Sequence, residues 1–310
     1  MASPWSRRTF LACSAGAVAA LAGGAAAGVD LVSHGVLPGK AALDQLDGAC
    51  SLPATRFAFP SGVGPTASGS FFSSKRNRLV GYSIGYPPHH GPGSRLPLVV
   101  MLHGFGENHA NALTGLTPAE AVALAQLGDS DLSGDSAQPM ALVTVDGGNG
   151  YWNPHPGDDP MGMVVDELIP LCQARGLGRP PRRIGAMGIS MGGYGALLLA
   201  EKHPTLVSAV AAISPAIWTS YAQAHAANAG AYDSAAAFAA NDAVTRARSL
   251  AGVPVRVAAG YGDPFYPGVQ ALAAALPAGS VVDFGKGCHE GSFFAEQEPA
   301  SLQFLARNLA

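Results

Sequence analysis

The sequence predicts an α/β fold built on a mostly parallel central sheet flanked by helices. Short apolar segments alternate with helix-like stretches along most of the chain, and several of these segments end in glycine-rich turns. This alternation is typical of βαβ units, whose parallel strands are covered by helices on both faces. With 310 residues, 48% of them hydrophobic, the chain is long enough to form one large domain of this class.

The predicted elements follow in chain order. An antiparallel pair of strands, residues 69–74 and 78–86, opens the sheet. Later strands are predicted at residues 98–102, 141–145, 183–189, 209–213, 253–260 and 280–284, and helices at 118–127, 161–175, 191–203 and 299–309. Functional residues of parallel sheets gather at the carboxyl ends of the strands, so we expect them in the loops that follow the strands.

Two further segments complete the predicted domain organisation. Residues 216–250 interrupt the alternation with an Ala-rich, helix-prone stretch that carries four aromatic residues, and we interpret them as a small cap insertion. Residues 30–65 contain scattered glycine and proline without a sustained period, which indicates an N-terminal arm or linker. The catalytic domain is therefore predicted to span residues 66–310.

The N-terminus predicts export. The pair Arg7-Arg8 precedes a weakly apolar, Ala/Gly-rich run that ends near Ala25-Ala26-Ala27, a pattern typical of a Tat signal with an A-x-A cleavage site. Residues 1–29 are thus predicted to be a Tat-type signal or, if uncleaved, a membrane anchor, since the run is about long enough to span a bilayer. We expect an extracellular or cell-envelope location, with association to a membrane or cell wall.

The charge content argues against one class of partner, and the cysteine content limits the number of disulfides. Charged residues make up only 13% of the chain and the net charge is −3, which argues against a nucleic-acid partner. After cleavage Cys50, Cys172 and Cys288 would remain, so at most one internal disulfide can form. A Cys50–Cys288 bridge is one alternative that spacing does not decide, whereas Cys172 falls in an apolar helical pattern and is expected to be buried.

The candidate nucleophile is Ser190. Residues 188–192 match G-x-S-x-G, with an apolar strand before the motif and an apolar helix after it. This context is that of a sharp strand-to-helix turn that exposes a serine hydroxyl, and small flanking residues avoid clashes within the turn. The alternative interpretation is a glycine-rich turn that serves packing alone.

A second motif predicts the oxyanion hole. The apolar segment 98–102 runs into His103-Gly104-Phe105-Gly106, which matches H-G-x-G. The predicted donors are the backbone N–H groups of Phe105 and of Met191, the residue after the nucleophile. We interpret His103 as a residue that orients the loop, because the general base is expected after the last strand.

The remaining triad members follow from chain order, which is serine, acid, histidine for this arrangement. Asp263 directly follows the strand 253–260 and is the candidate acid, with Asp233, Asp242 and Asp283 as rivals. His289 follows the last strand and is the candidate base. His203 and His225 lie in helix-like contexts and are expected to have no catalytic part.

The loop after the strand 141–145 carries two candidate substrate-binding residues, Tyr151 and Trp152. Loops at strand ends form pockets, so their rings are predicted to line the substrate wall; packing of this loop against the cap is the alternative. The adjacent Asp158 and Asp159 lack further ligands for a metal site, and we expect neither a metal nor another cofactor.

Together these motifs resemble the esterase D and mycolyltransferase-like branch of the α/β-hydrolases, of an exported actinobacterial type. The resemblance covers the chain from about Gly69 to the C-terminus. It implies an α/β-hydrolase fold and a serine carboxylesterase that hydrolyses small-molecule or lipid esters, including cell-wall esters, through an acyl-enzyme. Mycolyltransferases use glutamate as the acid, whereas this chain offers Asp263, which favours an esterase. An acyltransferase that passes the acyl group to a sugar hydroxyl and a non-catalytic binding protein are the alternatives.

Overall fold

Eight strands form one sheet in the computed structural model, which describes residues 48, 50–59, 62–126, 138–180 and 183–309. Their spatial order is β1-β2-β4-β3-β5-β6-β7-β8; pairs β1/β2 and β2/β4 are antiparallel and the others parallel. The strands are β1 Thr66–Ser73, β2 Arg78–Gly85, β3 Leu98–Leu102, β4 Ala141–Val145, β5 Ile184–Ile189, β6 Val207–Ile213, β7 Val255–Gly260 and β8 Val281–Gly285. The predicted mostly parallel sheet is confirmed.

Helices connect the parallel strands and cover both faces of the sheet. They are α1 Pro118–Ala125, α2 Pro160–Met163, α3 Ile169–Ala174, α4 Met191–Lys202, α5 Tyr221–Ala227, α6 Ala235–Ala240, α7 Ala243–Arg246, α8 Tyr266–Ala275 and α9 Gly291–Asn308. A π-helical turn, Val164–Leu168, joins α2 to α3. A 3₁₀ turn, Ala247–Leu250, follows α7.

The central strands are apolar on both sides because each side meets a layer of helices. Every residue of β3 is buried. Alternate residues of β3 contribute to two separate cores: Val100 belongs to one and Val99 to the other. This is the two-residue period of a strand buried on both faces, and it explains why β3 reads as a continuous apolar run.

The last helix begins earlier than predicted. The sequence places its start at residue 299, next to Pro299, whereas α9 begins at Gly291 and carries Pro299 in its interior. An interior proline costs a helix about 3 kcal/mol. The helix nevertheless buries Phe293, Leu302 and Leu305 completely or almost so, and burial of each such side chain contributes about 1.5–3 kcal/mol. Tertiary packing therefore outweighs the local signal.

Helix α8 was missed by the sequence analysis. Pro267 in its first turn is compatible with a helix start. Its buried residues, however, are only Gly268, Val269 and Leu272, so the helical pattern of apolar residues is short. A weak period of this kind does not distinguish a helix from a loop.

Residues 216–250 contain three short helices and the 3₁₀ turn rather than one long helix. Ser220, Ser234 and Asp242 each cap the start of one helix with a side-chain oxygen that accepts a backbone N–H. Such caps begin helices at defined positions and thereby divide the Ala-rich stretch. The assignment of this stretch as a cap stays a prediction.

The described residues leave parts of the domain prediction untested. The predicted signal or anchor, residues 1–29, and residues 30–47 of the predicted arm lie outside them. Residues 52–310 form one compact unit. Within the described part of the chain, no helix combines the length and apolar character that crossing a bilayer requires.

Glu201 in α4 predicts a pH dependence of stability. Burial raises the pKa of its carboxyl from 4.5 to about 9, and neither oxygen has a hydrogen-bond partner among the described residues. Between these two pH values the folded protein holds a proton that the unfolded chain has lost, so stability falls as pH rises. The substitution Glu201→Gln removes this ionisation, and we expect it to raise the melting temperature most at pH 8 and least at pH 5.

Thermal unfolding of the two proteins across this pH range checks the prediction. Glu296→Gln, at an exposed position in α9, is the matched control and is expected to leave the pH dependence unchanged. An equal shift of the melting temperature for Glu201→Gln at pH 5 and pH 8 would contradict the assignment.

Candidate active site

Ser190 lies on a strained turn between β5 and α4. Its backbone has φ 57° and ψ −122°, a conformation that residues other than glycine rarely adopt. The flanking glycines permit the turn: a Cβ on Gly188 would stand 2.1 Å from the Gly192 carbonyl carbon, and a Cβ on Gly192 would stand 1.8 Å from the Leu102 carbonyl oxygen. The G-x-S-x-G pattern is therefore a steric requirement of this turn.

A chain of hydrogen bonds joins Ser190, His289 and Asp263. The Nδ1 atom of His289 lies 2.9 Å from Asp263 Oδ2, and its Nε2 atom lies 2.8 Å from Ser190 Oγ. Because the carboxylate accepts at Nδ1, the imidazole carries its proton there, and Nε2 can accept the serine hydroxyl proton. The structure thus brings together the three predicted triad residues in one continuous chain of hydrogen bonds.

Neighbouring groups hold this chain in place. The Asp263 side chain is fully buried, and its second oxygen accepts the Phe265 N–H at 2.8 Å. The rings of Phe265 and Phe294 meet the imidazole of His289 edge to face, with centroids 5.0 and 5.1 Å away. Both the tautomer and the orientation of the imidazole are therefore fixed before substrate binds.

The rival residues have other partners. Asp233 contacts His155 Nδ1 at 2.9 Å, Asp242 caps α7, and Asp283 forms an ion pair with Arg256. Glu290, next to His289 in the chain, accepts the Ser292 hydroxyl at 2.8 Å. None of these side chains completes the hydrogen-bond chain to Ser190.

The two predicted oxyanion donors lie on adjoining elements. Met191 is the first residue of α4, so its N–H has no acceptor within the helix. Phe105 lies in the loop after β3, and its ring is 56% exposed. Because the Gly192 backbone lies against the carbonyl groups of Leu102 and His103, the start of α4 adjoins the start of this loop.

His103 is a fully buried part of the loop scaffold. Its Nε2 accepts the Gly147 N–H at 2.9 Å, so its Nδ1 carries the proton and donates to the Gly104 carbonyl oxygen at 2.7 Å. Burial lowers the pKa of the imidazole, which keeps it neutral. Both nitrogens are engaged, as expected for a residue that orients the loop.

The predicted substrate-wall residues Tyr151 and Trp152 are buried in this structure. Trp152 is fully buried against Gly147, Gly195 and His103, and Tyr151 is only 4% exposed. The Tyr151 hydroxyl accepts the Trp218 Nε1–H at 2.8 Å. Both residues have positive φ, and burial of their large rings stabilises the fold. Their role in binding substrate stays a prediction.

The acidic pair after β4 has structural partners. Asp158 forms an ion pair with Arg76 at 2.6 Å, and Asp159 caps α2 by accepting the Gly162 N–H. Across the described ranges, no group of three or more His, Cys, Asp or Glu side chains could hold a metal ion.

The three cysteines that the structure describes are in two states. Cys50 and Cys288 are disulfide-bonded, and Cys288 directly precedes His289. Cys172 is a buried free thiol whose pKa is raised by burial to about 12. A thiol of this kind is inert at neutral pH.

Two side chains that the sequence analysis missed contact the loop after β3, in which an oxyanion donor is predicted. Glu107 accepts the Gly104 N–H at 2.7 Å, and Asn149 accepts the Gly106 N–H at 2.8 Å. Burial raises the pKa of the Glu107 carboxyl. The position of Glu107 three residues after Gly104 is the sequence signal for the first contact, whereas Asn149 is distant in the chain and gave none.

This fold, with a serine at the turn between β5 and α4, defines the protein as an α/β-hydrolase. A family model described as "Putative esterase" matches residues 73–276. Because the match covers more than half of the chain, the protein belongs to this esterase family. The comparison with curated proteins found no match.

Solved structures with the same fold include three hydrolases. A ferulic acid esterase is 22% identical with a TM-score of 0.63, and the match covers 78% of this chain and 98% of the other. An S-formylglutathione hydrolase from Agrobacterium tumefaciens is 20% identical (TM-score 0.61; 82% and 98% covered). The fluorophosphonate-binding serine hydrolase F of Staphylococcus aureus is 13% identical (TM-score 0.62; 79% and 99% covered).

The contact between α4 and β3 predicts a strong effect of Gly192→Ala. The added methyl group would overlap the Leu102 carbonyl oxygen, which is backbone and cannot move aside without shifting α4 or β3. We expect a lower melting temperature and loss of esterase activity, measured on the same preparation. Gly285→Ala is the control, because a Cβ there meets nothing within 4 Å. Parental stability and activity in Gly192→Ala would contradict the steric argument.

Proposed function

We propose that the protein is a serine carboxylesterase with Ser190 as nucleophile, His289 as general base and Asp263 as the orienting acid. The observation that carries the proposal is the continuous hydrogen-bond chain from Asp263 through His289 to Ser190. Membership of the esterase family and the order of the three residues along the chain support the same chemistry.

The mechanism has two steps through an acyl-enzyme. Ser190 Oγ attacks the ester carbonyl while His289 Nε2 takes its proton, and the imidazolium then protonates the departing alcohol. Water next attacks the acyl-enzyme with the same imidazole as base, which releases the acid and restores the serine. Asp263 stabilises the imidazolium and holds its Nδ1 proton in place without taking it.

Charge that develops on the substrate oxygen needs hydrogen-bond donors. The N–H groups of Phe105 and Met191 are the proposed donors, and the N-terminal end of α4 adds a favourable dipole. Loss of one donor of this kind lowers kcat by a factor of about 10²–10³. These groups are backbone atoms of a packed loop and a packed helix, so little reorganisation accompanies the reaction.

The proposed substrates are small-molecule or lipid esters, cell-wall esters among them. Two features support this proposal: Phe265 packs edge to face on both His289 and Trp218, with centroids 5.0 and 4.7 Å away, and the proposed donor residue Phe105 is exposed. Aromatic side chains of this kind suit an apolar acyl or alcohol group. The similarity to a ferulic acid esterase supports an ester as the bond attacked.

The proposed location is outside the cytoplasm, reached by the Tat route, at the cell envelope or in the medium. The twin arginines at Arg7-Arg8 and the Ala/Gly-rich run after them support this route. The disulfide-bonded state of Cys50 and Cys288 is consistent with it, because disulfides persist in oxidising compartments.

Replacement of the nucleophile tests the proposal. Ser190→Ala removes the attacking oxygen, and we expect hydrolysis of p-nitrophenyl esters from acetate to palmitate to fall by at least about 10³-fold. Ser214→Ala is the matched control: Ser214 also has positive φ, follows β6, and its hydroxyl has no partner among the described residues. Substantial activity in a folded Ser190→Ala protein would refute the assignment.

Replacement of the acid tests the orienting role. Asp263→Asn keeps the side-chain shape but favours the wrong imidazole tautomer, and we expect kcat to fall about 10⁴-fold, the effect seen for this change in serine proteases. Asp242→Asn is the control, because asparagine also caps helices well. A kcat that is unchanged in Asp263→Asn would show that the carboxylate has no part in the reaction.

Two alternatives predict different products. An acyltransferase would use the same acyl-enzyme but pass the acyl group to a sugar hydroxyl, so new esters would form when carbohydrate acceptors are added. A binding protein that lacks catalysis would release no alcohol from any ester. Product analysis with and without acceptors separates both from the esterase.

A further inference from the structure

Three consecutive N–H groups in the oxyanion loop differ in their partners. The Gly104 N–H donates to Glu107 Oε2 at 2.7 Å and the Gly106 N–H donates to Asn149 Oδ1 at 2.8 Å. Between them, the Phe105 N–H donates to no group among the described residues. The flanking donors are thus occupied by side chains, and the middle one is left for substrate.

The contact between Glu107 and Gly104 is close. A Cβ on Gly104 would stand 3.0 Å from Glu107 Oε2, so the carboxylate occupies the space that a side chain at position 104 would need. The Glu107 N–H also donates back to the Gly104 carbonyl oxygen at 3.3 Å, and His103 Nδ1 donates to the same oxygen at 2.7 Å. This carbonyl and the Phe105 N–H belong to the same peptide unit. The two hydrogen bonds to the carbonyl oxygen therefore restrict the plane of that peptide unit.

Among the described residues, the Gly104 N–H is the one hydrogen-bond partner of the Glu107 side chain. Glu107 has no ion pair with any described cation, and its charged neighbour is another carboxyl, Glu298 of α9. Glu298 is fully buried, accepts the Thr114 N–H at 2.7 Å and has its second oxygen unpartnered among the described residues. Residue 107 is itself exposed, so neither ion pairing nor burial of its side chain explains a glutamate at this position.

We propose that Glu107 is a positioning residue of the oxyanion hole: its carboxylate holds the Gly104 N–H so that the Phe105 N–H is directed at the substrate oxygen. The inference rests on the proposed esterase function. A charge-assisted hydrogen bond of this kind is shorter and stronger than a neutral one, which suits a loop that must keep its geometry while negative charge develops next to it.

The test compares Glu107→Ala with Glu107→Gln. Glu107→Ala removes the acceptor, and we expect kcat for p-nitrophenyl acetate to fall about 10–100-fold, less than the loss of a donor itself, while KM changes less than about twofold. Glu107→Gln keeps an acceptor oxygen and is expected to restore most of the activity. Inhibition by a trifluoromethyl ketone, which forms a tetrahedral oxyanion on the serine, should weaken by about the same factor as kcat.

Glu120→Ala is the matched control. Glu120 likewise accepts a backbone N–H three residues earlier, that of Thr117 at 2.8 Å, but at the start of α1. We expect it to lower the melting temperature without changing kcat. If Glu107→Ala behaves like Glu120→Ala, losing stability but keeping kcat and inhibitor affinity, the positioning role is overturned. Failure of the esterase proposal itself would appear separately, as absence of Ser190-dependent turnover in the parent protein.

Discussion

The backbone of Gly192 lies against the end of β3 so closely that no side chain fits between them. This contact sets the start of α4 beside the loop that follows β3, and through it the proposed nucleophile comes next to the proposed oxyanion donor Phe105. It also explains the strained φ of Ser190, because the chain must turn sharply to enter a helix at that distance. Strain of about 1–3 kcal/mol at such a turn persists only when the surroundings hold it, and two buried cores provide that support.

The site depends equally on the parallel order of the strands. Ser190 follows β5, Asp263 follows β7 and His289 follows β8, so three loops from one edge of the sheet meet at one point. The loops are short and packed: aromatic rings flank the imidazole, and the Asp263 carboxylate is buried. This packing holds the hydrogen-bond chain from Asp263 to Ser190 in place.

Sequence reasoning succeeded where a local pattern determines the structure. The strands β3 and β4 and the turn at Ser190 carry strong apolar and glycine signals. Chain order also pointed to Asp263 and His289, which lie within hydrogen-bond distance of each other in the structure, and their catalytic roles stay predictions. Sequence reasoning failed where tertiary contacts decide. The start of α9 depends on packing that overrides Pro299, and the burial of Trp152 depends on space left by Gly147 and Gly195. Neither contact can be predicted from the periodicity of apolar residues in the sequence.

Asn149, in the loop after β4, links the loop after β3 to the end of α5. The Asn149 side chain accepts the Gly106 N–H, while its backbone carbonyl accepts the Asn228 side chain from the end of α5. A ligand that shifts α5 would therefore also move the loop that carries the Phe105 N–H. If the predicted cap contacts substrate, discrimination between esters would then appear in turnover rather than in affinity, because the cap is linked to the proposed oxyanion donor. Sequence drift in residues 216–250 could thus change preference and catalytic efficiency together.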